Sequence, residues 1–180
     1  MRAFVALELP EAHLAPVTRL QAGLSVGRVV PEENLHLTLA FLGDIGEAAA
    51  MAAAEGLAAL TMPPVPLELA GLDVFGGRRP AVLVIRAAGA GLERLHDKVA
   101  RAVRRAGVTL PRERFRPHVT IARFRREMSP RDQARLGEFL ALNGTFALDP
   151  EPADTVTLYR SHLREEGVIH EPLAEVALAG

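Results

Sequence analysis

Apolar positions along the chain switch between a period near two and a period near 3.6. Arg2 to Leu9 predicts a strand centred on Phe4, Val5, Ala6 and Leu7. Pro10 then opens a helix to about Leu24, with Leu14, Val17, Leu20 and Leu24 on one face. Pro31 to Asn34 reads as a turn, Leu35 to Leu42 as a strand closed by Gly43-Asp44, and Ile45 to about Leu60 as an alanine-rich helix. Strands follow at Val65 to Val74 and Ala81 to Ala87, with Gly76-Gly77-Arg78-Arg79-Pro80 between them. A second round then begins. Gly91 to Ala106 is a helix with Leu92, Leu95, Val99 and Val103 on one face, and His118 to Phe124 is a strand. Ser129 caps a helix that has Pro130 at its first position and runs to about Leu142. Thr155 to Tyr159 and Gly167 to Leu178 are the last strands.

This order is a duplication. Its two copies match best at HLTLAFL, from His36, and HVTIARF, from His118, 82 positions apart. Such an internal repeat implies two copies of one supersecondary unit packed about a pseudo-twofold axis. Short links between neighbouring strands favour antiparallel pairing and an α+β architecture.

A regular strand places alternate residues on one face. His36, Thr38 and Ala40 are thus expected opposite Leu35, Leu37, Leu39 and Phe41. His118, Thr120 and Ala122 are expected opposite Val119, Ile121 and Arg123. If the pseudo-twofold joins the polar faces, two imidazoles and two hydroxyls line one cleft. Histidine titrates near neutral pH, so one ring can take a proton while the other gives one. Threonine hydroxyls can donate to non-bridging phosphate oxygens, where negative charge must be stabilised. Opening a cyclic phosphodiester needs a proton removed on one side of phosphorus and delivered on the other, which suits a two-fold site. Neither histidine has a second histidine or a carboxylate at ligand spacing beside it, so no metal is expected.

Composition narrows the setting. The 180 residues are 49% hydrophobic and 24% charged, as in an ordinary folded domain. A net charge of -1 leaves any polyanion site to local arginine clusters. Arg112, Arg114, Arg116, Arg123, Arg125 and Arg126 flank the second motif, with Glu113 the only acid from 112 to 126. Arg123 and Arg126 are the leading candidates for polyanion contact there. Arg79, in the glycine-rich loop, is a candidate from the other lobe. With no cysteine, no signal-like N-terminus and no membrane-length apolar run, a cytoplasmic setting without membrane contact is expected.

HLTLAFLG and PHVTIARF resemble the paired His-x-Thr-x signatures of the 2H phosphoesterase superfamily, LigT-like branch. These are the RNA 2′,3′-cyclic phosphodiesterases, also called 2′-5′ RNA ligases. The likeness runs from MRAFVALELP through FRPHVTIARF to LYRSHLREEGVIHEPLAE. It implies one bilobal domain over residues 1–180, with halves near 1–80 and 81–180, strand exchange between lobes, and two antiparallel sheets flanked by helices around a central cleft. It also implies hydrolysis of RNA 2′,3′-cyclic phosphate ends, tRNA fragments among them, to 2′-phosphomonoesters. A reverse capacity for 2′-5′ joining comes with it. In that reading His36 donates the proton to the departing oxygen, His118 accepts one from water, and Thr38 and Thr120 hold the phosphate. No cofactor is implied. His170 stands where relatives often carry tyrosine, and is a candidate ligand contact. A monomer is expected, because two lobes complete the site. A phosphodiesterase for small cyclic nucleotides or ADP-ribose cyclic phosphate, and a binding module for RNA ends without catalysis, stay open as alternatives.

Overall fold

The computed structural model describes residues 1–180. The strands are β1 Arg2–Glu8, β2 Arg28–Val29, β3 His36–Asp44, β4 Val65–Phe75, β5 Val82–Ala88, β6 His118–Arg123, β7 Ala147–Ala153, β8 Thr155–Arg164 and β9 Gly167–Ala177. The helices are α1 Glu11–Ala22, α2 Glu47–Ala58, α3 Leu92–Arg105 and α4 Pro130–Asn143. Every helix read from apolar periodicity is present. Ser129 caps α4 as expected, its hydroxyl accepting from the Asp132 amide at 3.1 Å.

All sheet pairings are antiparallel, in the order β7-β4-β5-β6-β3-β1-β8-β9, with β2 added beside β6. The order is palindromic in kind. The two motif strands, β3 and β6, meet in the middle, and each is backed by the strand that opens its repeat, β1 or β5. Beyond those lie β8 and β4, so each half-sheet draws strands from both parts of the chain. One residue pair, Leu37 with Val119, joins the halves. Both side chains are fully buried, within a continuous core of 36 residues that includes Val5, Leu7, Leu83, Ile85, Leu95, Val99 and Leu158.

Two strands escaped the apolar pattern. β7 reads ALDPEPA; its two prolines and two acids belong to an edge strand, and it occupies one edge of the sheet. β2 is only two residues long. His13, which the helix pattern places in solvent near the start of α1, is 2% exposed. Its Nε2 donates to the Asp149 carbonyl of β7 at 2.9 Å, so the unforeseen strand is what covers it.

Candidate active site

The motif strands are not regular, and their irregularity decides what faces the cleft. On β3, Thr38 pairs with Ala6 but Ala40 pairs with Val5, which leaves Leu39 as an extra residue. On β6, Thr120 pairs with Val84 but Ala122 pairs with Leu83, which leaves Ile121 extra. Each is a β-bulge, and they sit at equivalent places in the repeat. A bulge reverses the side-chain alternation beyond it. Ala40 and Ala122 therefore turn into the core beside Leu39 and Ile121, and all four are buried. Phe41 and Arg123 turn the other way, onto the face that carries the histidines and threonines. The regular alternation expected from sequence thus fails for Ala40, Phe41, Ala122 and Arg123. Phe41 is 65% exposed.

The Leu37–Val119 pairing sets the register at the seam. Carried one residue each way, it places Thr38 beside His118 and His36 beside Thr120, all on the face opposite the buried pair. The two histidines are then diagonal neighbours, a relation that spans about 7–8 Å.

Both imidazoles are held alike. His36 Nδ1 lies 2.7 Å from the Asn34 carbonyl, and His118 Nδ1 lies 2.6 Å from the Arg116 carbonyl. A carbonyl oxygen only accepts, so Nδ1 carries the proton in each ring and Nε2 is left for chemistry. His36 Nε2 lies 3.0 Å from the Thr38 hydroxyl. An aromatic ring packs on each imidazole at 4.8 Å between centroids, Phe4 on His36 and Phe75 edge-on to His118. The Arg116 guanidinium caps Phe75 at 4.2 Å from the ring centre.

The first half is the more enclosed. Around His36 gather Phe4, Tyr159 stacked on Phe4 at 5.2 Å, and His170, edge-on to His36 at 5.5 Å. Ser161 Oγ lies 3.2 Å from His170 Nδ1. The Glu8 carboxylate accepts from Thr157 at 2.6 Å and Tyr159 at 3.1 Å. Burial, then the Glu8 charge, push the Tyr159 phenol up to about 12, which keeps it a donor. Burial also drives His36 down to about 4, against the Asn34 hydrogen bond that raises it; the charges of His170, Arg123 and His118 lower it further. His170 is lowered by burial and then by Arg123.

Resting His36 is therefore neutral at pH 7. An anion bound beside it favours the imidazolium and raises the pKa. Opening its pocket to water by Phe4→Ala raises it too. NMR titration of the His36 ring should give a midpoint near 4 in the free protein, moving upward by about one unit or more with inorganic phosphate or in Phe4→Ala. A midpoint at the ordinary histidine value, unmoved by either change, would contradict this.

The remaining candidates spread out. Arg123 stands at the cleft, close enough for its charge to act on His36 and His170. Arg126 is exposed beyond β6, and Arg79 is exposed in the turn between β4 and β5. His96 stacks on Phe115 at 4.0 Å, away from the motifs. His162 Nε2 donates to Glu171 at 2.5 Å, and that hydrogen bond lowers the Glu171 carboxyl. No three His, Cys, Asp or Glu side chains converge as a metal cluster. No helix is long and apolar enough to cross a membrane.

Fold and site together define a two-lobed protein with a twin-histidine cleft, of the LigT type. The 2′-5′ RNA ligase superfamily model matches residues 9–140. An RNA 2′,3′-cyclic phosphodiesterase of Aeropyrum pernix is 31% identical over 155 residues, 84% of this chain and 86% of that protein. One of Aquifex aeolicus is 33% identical over 162 residues, 86% and 84% of the two chains. The crystal structure of TT0787, from Thermus thermophilus, superposes with a TM-score of 0.78 at 28% identity, covering 100% of this chain and 99% of that one. The crystal structure of E. coli LigT in apo form shares the fold, with a TM-score of 0.70 at 24% identity over 99% and 98% of the chains. This chain belongs to the 2′-5′ RNA ligase superfamily.

Proposed function

We propose that the protein hydrolyses the 2′,3′-cyclic phosphate at the end of an RNA to a 2′-phosphomonoester. The observation that carries this is the pair of equivalent imidazoles, each with Nδ1–H fixed on a carbonyl and Nε2 turned to the shared face, where that of His36 meets only the Thr38 hydroxyl, diagonal across the seam between the half-sheets. Curated relatives named RNA 2′,3′-cyclic phosphodiesterase support the same reading. His118 Nε2 takes a proton from water as its oxygen attacks phosphorus. The bond from phosphorus to the 3′-oxygen breaks, and His36 Nε2 delivers a proton to that oxygen. Thr38 and Thr120, each beside the opposite half's histidine, donate to the non-bridging oxygens. Arg123 adds positive charge at the cleft, and His170 lines it beside His36. Arg126 and Arg79 lie farther out and would meet the RNA backbone.

Giving His36 the donor's part follows the family resemblance. Burial works against it, because the resting ring is neutral; the substrate's anion works for it by drawing a proton onto the ring. Replacing water by the 5′-hydroxyl of a second RNA gives a 2′-5′ bond by the same proton transfers, so ligation shares the site. Both motifs lie in one chain, which supports a monomer acting on RNA ends, those of tRNA fragments included.

The test is incubation of chelator-treated protein with an oligoribonucleotide ending in a cyclic phosphate. The expected result is turnover undiminished by the chelator. Binding without turnover would favour a module that only holds RNA ends, and would overturn the proposal.

A further inference from the structure

Two arginines face each other at the mouth of the cleft. Arg28 of β2 pairs in register with Arg123 of β6, so their side chains leave the same face of the sheet. The bulge at Ile121 makes that face the one carrying His118 and Thr120. Both arginines are exposed, and neither joins an ion pair. Like charges directly opposite across strands destabilise a sheet, so this pairing works against folding unless an anion joins it.

The surroundings hold the pair in place. Gly27, at φ +78, lies so close to β6 that a Cβ there would meet the Phe124 ring at 2.5 Å and the Arg123 carbonyl at 2.8 Å. The Arg28 guanidinium reaches the turn of the β8–β9 hairpin, donating to the Glu166 carbonyl. Asn34, whose carbonyl holds His36, donates from its side chain to the Val168 carbonyl of the same hairpin at 2.9 Å. The hairpin's cleft-facing residues beyond His170 are Leu163 and Val168, which pair with each other and stay exposed. One rim of the cleft thus combines two guanidinium groups that lack an anionic partner with an apolar shelf.

We propose that Arg28 and Arg123 form a second anion subsite, which takes the phosphate on the 5′-oxygen of the nucleoside whose cyclic phosphate is being opened. The inference rests on the phosphodiesterase reading and deepens it. It makes the preferred substrate an RNA chain or a 5′-phosphorylated nucleotide rather than a bare nucleoside cyclic phosphate. Arginine suits the task because its fork binds two phosphate oxygens at once.

The experiment compares adenosine 2′,3′-cyclic phosphate with the same compound bearing a 5′-phosphate, at low ionic strength. The unaltered protein should favour the 5′-phosphorylated compound by about tenfold or more in kcat/KM, a preference that salt erodes. Arg28→Gln should bring the ratio close to one and leave kcat/KM for the unphosphorylated compound within about twofold. Arg28→Lys should keep part of the preference. A ratio near one in the unaltered protein overturns the inference. So does an Arg28→Gln variant that keeps the preference, or one that loses both activities equally, because Arg28 is then only a tie to the hairpin. If the unaltered protein turns over neither compound, the phosphodiesterase reading fails instead. Calorimetry with adenosine 2′,5′-bisphosphate against adenosine 2′-monophosphate then reads the arginine pair alone: tighter binding of the bisphosphate, lost in Arg28→Gln, supports the subsite, and equal binding overturns it.

Discussion

His36→Ala and His118→Ala should each lower kcat on a cyclic-ended RNA by about a hundredfold to ten-thousandfold, the usual contribution of a positioned acid or base. Neither ring is part of the buried core, so both variants should fold. Substrate design separates the two roles. When sulfur replaces the 3′-bridging oxygen, the leaving group needs no proton. The deficit of His36→Ala should then shrink towards the unaltered rate, while that of His118→Ala persists. The reverse pattern would exchange the acid and the base. Near-normal kcat in either variant would remove the two-histidine mechanism altogether.

The second large effect concerns the seam. Leu37 is fully buried and supplies half of the one residue pair that joins the half-sheets. Leu37→Ala should destabilise the protein by about 2–5 kcal/mol, because the packed surroundings close only part of the cavity. Chemical denaturation measures this. A change below about 1 kcal/mol would show that the join is carried elsewhere. Activity should fall along with stability, since the diagonal relation of His36 and His118 depends on the same register.

The fold was largely legible because its repeat is strong where it matters. The helices α1 to α4 follow from apolar spacing, and their ends differ from the expected ones by two residues or fewer. The paired HxTx segments picked out β3 and β6 and identified the four residues that line the seam. What could not be read was anything dependent on pairing. Strand alternation puts Phe41 and Arg123 on the buried side, and only the partners Val5 and Leu83 reveal the bulges that turn them outward. A faint signal was present: LAF and IAR carry two small or apolar residues in succession where a regular strand would alternate. β7 was hidden by its prolines, and with it the cover over His13. The β2–β6 pairing that sets Arg28 opposite Arg123 has no trace in the local sequence, because two residues of strand have no period.

The most direct measurement is the position of the phosphate after a complete reaction, read by phosphorus NMR on chelator-treated protein with an oligoribonucleotide ending in a cyclic phosphate. If His36 protonates only the departing 3′-oxygen, as proposed, the product is a 2′-phosphomonoester and no other. A 3′-phosphomonoester, a mixture of the two, or an intact cyclic end would contradict the account.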